Sequence, residues 1–246
     1  MLGVYDFLER LHERYPALLI EGCSGGGGRF DAGMLYYTPQ IWCSDNTDAI
    51  ERVKIQYGTS FAYPSCTVGS HVSAVPNHQT GRTTELATRA AVAMAGSFGY
   101  ELDLNLLTEE EKEQVRAQIK NYHRFEMLIR QGRYYRLTDV WQKKEYAAWE
   151  YCRPDGSEAL VTVVTLNTQC NPATEYVKLR GLGEDKKYRV EVVGMQTGGE
   201  NGQRINGTPN AVEPEYYTGA QLVYAGVPVP RLGNEYKSWQ VYVKEV

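Results

Sequence analysis

The stretch from Leu18 to Gly58, LLIEGCSGGGGRFDAGMLYYTPQIWCSDNTDAIERVKIQYG, constrains this chain most. The apolar run Ala17–Ile20 reads as a buried strand. It gives way to Cys23-Ser24 and then to four glycines, Gly25 to Gly28. A second short strand, Pro39–Trp42, gives way to Cys43-Ser44-Asp45. Two buried strands therefore each end in small polar residues and a loop. Parallel α/β barrels place their chemistry at such strand ends. Before this stretch, Leu2, Tyr5, Leu8, Leu11 and His12 share one helical stripe, which Pro16 ends. After it, Ile50, Val53, Ile55 and Tyr57 make another. The order of helix, strand, loop, strand, helix is that of parallel strands joined by crossover helices.

The glycine run lets the backbone take positive φ and lets a ligand reach the amides. It lacks the Lys-Ser/Thr of a P-loop and the downstream acid of a dinucleotide fingerprint. Bare amides beside Cys and Ser side chains suit a hydroxyl-rich neutral ligand such as a sugar. A flexible Gly/Ser linker is the plain alternative. Asp48 or Thr47 is placed to cap the following helix, which accounts for Asp48 fully. Asp45 lies nearer the strand end, beside Trp42. It is either a turn residue or a general acid. His71 and His78 lack metal-ligand spacing, with Pro76 between them, and His12 reads as a helix-face histidine; neither metal nor cofactor is expected.

At these residues the sequence resembles a known family. Cys23-Ser24-Gly25-Gly26-Gly27-Gly28-Arg29-Phe30-Asp31, Gly33–Tyr37, Pro39–Trp42, Ser44-Asp45 and Thr47–Ala49 are similar to the retaining α-galactosidases of glycoside hydrolase family 36. The likeness continues through Ile55–Ser60, Ser70–Gln79 and Phe98–Asp103. The resemblance implies that Asp45 is the acid/base aspartate. It implies that Cys23 and Gly26 contact galactose, the glycine through its backbone and the cysteine near the 2-position. Trp42 would form the supporting wall. The implied substrates are galactosides of the raffinose and melibiose kind, and the implied full-length enzyme is a homo-oligomer, with contacts expected in the Ser60–Arg82 segment.

One expected part is missing. A retaining glycosidase needs two carboxylates. The family's nucleophile stands in a Lys-Trp-Asp type motif upstream of the cysteine-glycine strand, and no Lys-Trp-Asp occurs here. The 246 residues are therefore expected to be the C-terminal part of such an enzyme, inactive alone. A non-catalytic truncated remnant or a galactose-binding module is the alternative.

The rest of the chain agrees with this outline. A net charge of −4, with Lys and Arg spread out, speaks against nucleic acid. No segment reaches the ~18 apolar residues of a membrane span. Five scattered cysteines and no signal peptide suit a cytoplasmic protein. Residues 61–82 read as one long irregular loop. Thr83–Ala95 reads as a buried helix capped by Thr84-Glu85 or by Thr83, followed by a break at Ser97–Tyr100. Thr108 with Glu111 forms a capping box for a helix running to Gln131, with Gly132 after it. From Arg133 the period becomes alternating. Strands are expected at Tyr134–Leu137, Tyr146–Tyr151, Leu160–Leu166 (the central one), Glu175–Leu179, Lys187–Val193, Gln221–Tyr224 and Ser238–Val243, with a polar loop at Gly198–Asn210. Trp141, Trp149 and Trp239 read as core or interface residues. The expected fold is α/β plus all-β: residues 1–132 are the last units of a (β/α)8 TIM barrel, and residues 133–246 an antiparallel β-sandwich.

Overall fold

The structure is a computed structural model that describes residues 2–171, 173–193, 215–230 and 235–246. The expected Gly198–Asn210 loop lies outside them. The chain opens with helix α1 (Leu2–Arg14), strand β1 (Glu21–Gly22), the turn α2 (Ser24–Gly27), helix α3 (Ala32–Tyr37), strand β2 (Gln40–Ile41) and helix α4 (Ala49–Thr59). Strand β3 (Gly69–Ser73), helix α5 (Leu86–Ala93), strand β4 (Ser97–Glu101) and the long helix α6 (Glu109–Gln131) follow.

The four strands run parallel, in chain order. β1 pairs with β2, a bridge from Ile41 to Val68 joins β2 to the entry of β3, and β3 pairs with β4. Three sequence expectations change here. Ala17–Ile20 is not a strand: Leu19 is 87% exposed, and pairing begins only at Glu21. The irregular 61–82 loop contains β3, and the break at Ser97–Tyr100 is β4. GSHVS and SFGYE carry glycine and serine because small side chains are needed there: a Cβ on Gly99 would lie 3.2 Å from His71 Cδ2. Their stability comes from pairing, which local pattern does not reveal.

The helices are set by their ends. Asp48 caps α4 through the Ile50 and Glu51 amides, as expected. The capping box of Thr108 and Glu111 starts α6. For α5 the N-cap position falls to Glu85, within the expected Thr84-Glu85 pair, but with no side-chain cap hydrogen bond. The Thr84 carbonyl is instead taken by Arg89 Nε at 2.9 Å.

The second half is a large antiparallel sheet. Its strands are β5 (Arg133–Arg136), β6 (Tyr146–Cys152), β7 (Glu158–Thr165), β9 (Lys187–Val193), β10 (Glu215–Thr218) and β12 (Ser238–Glu245). Their order is β10-β9-β12-β7-β6-β5, so β7 is interior, as its apolar run predicts. Strands β8 (Tyr176–Val177) and β11 (Val227–Pro228) form a separate antiparallel pair. Gln221–Tyr224 is not a strand but part of a π-helical turn, Gln221–Ala225, which buries Leu222.

Alternation gives the sheet two different faces. On one, Trp149, Tyr151, Leu160 and Tyr242 pack against Phe125, Leu128 and Ile129 of α6 and against Val53 and Tyr57 of α4. On the other, Val161, Val163, Val241 and Trp239 pack beneath Val177 and Val227. Trp149 and Trp239 are core, and Trp141, half-exposed, lies at the interface, edge-on to Tyr57 and parallel to Phe61 of the first half, so each takes one of the two expected places.

Candidate active site

The site begins with the backbone of Ser24 to Gly27. Their φ values are +53°, +69°, +69° and +87°, all left-handed. Glycine adopts this region freely; a serine does so at a cost of roughly 1 kcal/mol. The reason for the glycines is contact with the next strand's loop. A Cβ on Gly26 would lie 3.0 Å from the Asp45 amide nitrogen and 3.2 Å from Asp45 Oδ2. A Cβ on Gly27 would lie 2.9 Å from the Cys43 carbonyl oxygen. The run is therefore no linker. It is seated on Cys43–Asp45, which sets Gly26 against Asp45, and Cys23 opens the same turn, its carbonyl accepting the Gly27 amide at 2.8 Å. Cys23 and Asp45 are both exposed, and among the described residues no hydrogen bond or ion pair engages the Asp45 carboxylate.

The turn that carries Asp45 is held on every side. The Asn46 amide donates to Ser44 Oγ at 3.2 Å and the Asp48 amide to Asn46 Oδ1 at 3.1 Å. Behind the turn, Arg52 of α4 is buried. It donates to the Ser44 carbonyl at 3.2 Å, to the Gly69 carbonyl at 2.5 Å and to Gln56 Oε1 at 3.3 Å. Its guanidinium carbon lies 4.5 Å from the centre of the Trp42 ring, and Trp42 stacks on His71 at 4.7 Å. Burial pulls the Arg52 pKa down, against the opposing pull of the Cys43 thiol. Trp42 is thus held between Arg52 and His71, and Arg52 ties the loop after β2 and the start of β3 to one helix. His71 also meets Glu101 Oε2 through Nδ1 at 3.3 Å.

Asp48 is buried and shielded. Thr80 Oγ1 donates to it, Arg82 lies 2.6 Å away, and Asn77 Nδ2 donates to the neighbouring Thr47 at 2.9 Å. Burial alone would raise the Asp48 pKa. The hydrogen bonds from Thr80, Arg82 and the Glu51 and Ile50 amides outweigh it and hold the carboxyl below its ordinary range. The 77–82 segment is therefore a brace for the turn, rather than a free loop. Arg52 and Arg82 do not stand out in the sequence. The only trace of Arg52 is its i, i+4 spacing with Asp48 and Gln56 on the covered side of α4; that of Arg82 is nil, since its partners come from distant segments.

Short parallel strands that end in an exposed carboxylate facing a backbone-lined turn are of the α/β class, whose chemistry sits at strand ends. Comparison with known proteins narrows this. The melibiase family model matches residues 1–132 and that of the glycosyl hydrolase family 36 C-terminal domain matches residues 146–243. The chain belongs to the melibiases, glycoside hydrolase family 36. It is 54% identical over 246 residues to the bifunctional α-galactosidase/sucrose kinase AgaSK of Mediterraneibacter gnavus, covering 100% of this chain and 24% of that protein. It is 44% identical over 246 residues to the α-galactosidase AgaA of Geobacillus stearothermophilus, covering 31% of it. The solved galactosidase domain of AgaSK superposes with a TM-score of 0.87 over 100% of this chain and 31% of its own. A variant of AgaA in complex with raffinose superposes with a TM-score of 0.87 at 43% identity, again over 100% of this chain and 31% of its own. The chain thus spans about a quarter to a third of the length of these relatives.

Proposed function

We propose that this chain supplies the acid/base half of a retaining α-galactosidase active site. The observation that carries the reading is the contact of the Gly26 backbone with Asp45. It sets a bare peptide turn and an exposed carboxylate around one small space. In that space Asp45 protonates the glycosidic oxygen, and then takes a proton from the attacking water. Gly26 offers backbone to the sugar, and Cys23 stands near the 2-position. The names of the relatives, and the complexes of AgaA with raffinose and with stachyose, support galactosides of this kind as substrates.

The second carboxylate must lie ~5 Å across the scissile bond in a retaining enzyme. Asp48 is unsuited, because it is buried, caps α4 and pairs with Arg82. The nucleophile of this proposal lies outside these 246 residues. The parallel strands β1 to β4 are an arc of a (β/α)8 barrel, residues 133–246 are an antiparallel β-sandwich, and the boundary falls after Gly132. The separate family matches support that boundary. Exposed Phe61 supports subunit contacts near the start of the Ser60–Arg82 segment, and five free thiols support a reducing, cytoplasmic setting.

The test uses the polypeptide as its native gene encodes it. Hydrolysis of raffinose is expected, and Asp45→Asn lowers it by roughly 10²–10⁴-fold. Activated aryl galactosides, which need no proton on the leaving group, lose far less in the first step. Small and equal losses on both substrates would overturn the role of Asp45. Tight galactose binding without any hydrolysis would favour a galactose-binding module.

A further inference from the structure

Glu150 lies in the middle of β6 but turns away from its neighbours Trp149 and Tyr151. Those two face α6, whereas Tyr146, Ala148 and Cys152 join the cluster beneath β8 and β11. Strand alternation puts Glu150 with the second group. Its side chain is 0% exposed. Oε2 accepts the Arg180 amide at 2.8 Å, and Oε1 has no partner among the described residues. An ionised carboxylate in such surroundings is costly, whereas the neutral acid is much less so.

The groups around it do not supply a buried cation. Tyr135 stands opposite on β5, apolar Val161 stands opposite on β7, and Cys152 shares the strand face. The Cys152 thiol is itself pushed up to about 12, by burial first and then by the charge of Glu150. Arg180 is exposed; its amide and its charge draw the Glu150 pKa down, but burial dominates and takes it to about 8. The segment that supplies the amide is tightly seated. Leu179 and Leu182 are buried in the same cluster, and the Leu179 amide donates to the Leu222 carbonyl at 3.0 Å. Gly181 has φ +77°, and a Cβ there would lie 3.0 Å from both Cys152 Sγ and the Tyr135 hydroxyl oxygen. The Glu150 carboxyl therefore sits at the joint between the large sheet and the Leu179–Leu182 segment.

We propose that Glu150 is a proton-operated latch: with its proton the carboxyl lets the Leu179–Leu182 segment stay seated on the large sheet, and loss of the proton makes the carboxylate draw in water and lift that segment. The Glu150→Gln variant tests this in the polypeptide as its native gene encodes it. Glutamine keeps an acceptor for the Arg180 amide and cannot ionise.

Infrared difference spectra of wild type against E150Q should show a carboxylic-acid band at neutral pH that disappears by about pH 9. Amide exchange at Arg180 and Gly181, corrected for the base-catalysed rate, should rise about tenfold over that range in wild type and stay flat in E150Q. The stability difference carries a sign. A carboxyl whose folded pKa is raised favours the fold below its unfolded value of 4.5, and that advantage is lost as pH rises through about 8. E150Q should therefore gain on wild type across this window. No acid band at neutral pH, a band that persists beyond about pH 9, or equal exchange in both proteins would overturn the latch. If E150Q fails to fold, exchange at Arg180 and Gly181 in wild type that stays flat between neutral pH and about pH 9 would still overturn the latch.

Discussion

At the scale of the residue, the site depends on one atom that is missing. Gly26 has φ +69° and leaves no room for a Cβ against Asp45. Gly26→Ala should cost roughly 1–2 kcal/mol from the left-handed backbone alone, and it should also displace the Asp45 turn. Denaturant melts check the first effect. Hydrolysis by the native gene product checks the second, which should exceed what the lost stability explains. Asp48 gives a prediction in pH. Its carboxyl is held below the ordinary value of 3.8, so its contribution is fully present above that value and is lost as pH falls further. Asp48→Asn should remove this part of the acid limb while keeping the α4 cap, since asparagine caps a helix about as well as aspartate. Urea melts of both proteins at a series of acidic pH values check it; an unchanged acid limb would refute it. The cap itself is legible in the sequence, because capping is local. The brace from Thr80 and Arg82 is not, since it comes from residues 32 and 34 positions away.

At the scale of the element, α4 links the site to its supports. Arg52 engages two backbone carbonyls and a glutamine oxygen from one buried guanidinium. Lysine is a point charge on a flexible stem and cannot reproduce that fork. Arg52→Lys should leave at least one buried carbonyl without a partner, at about 1–3 kcal/mol. Chemical denaturation checks this; a loss near zero would show that water replaces the fork. The legibility of the elements follows the same division between local and distant causes. The start of α6 announces itself through Thr108 and Glu111, and β7 through a run that is apolar at nearly every position. β3 and β4 do not, because their glycines and serines fit close-packed neighbours. Leu18 and Leu19 mislead in the opposite direction: they are apolar but exposed, beside the free edge of β1.

At the scale of the whole molecule, the two halves share a core. The Tyr151 hydroxyl, on the large sheet, donates to the Ala95 carbonyl at 2.8 Å and meets Ser65 Oγ at 2.8 Å, both from the first half. Arg136 of β5 donates to the Ser60 carbonyl at 3.1 Å. The halves are therefore expected to unfold in one transition. Tyr151→Phe leaves the Ala95 carbonyl unpaired and should lower stability by about 1–3 kcal/mol without splitting that transition. Calorimetry checks both points: two resolved peaks in wild type would show independent halves.

The seat of Arg82 carries the same bond further. Its guanidinium pairs with Asp48 and lies 5.0 Å from the centre of the Tyr236 ring, so residue 236 touches the brace of a turn almost two hundred positions earlier. Heredity is then less modular than the sequence boundary at Gly132 implies. A C-terminal half grafted from a relative brings its own residue at this position. Unless it offers an aromatic face to Arg82, the graft would fold well and still loosen the loop that holds Asp45.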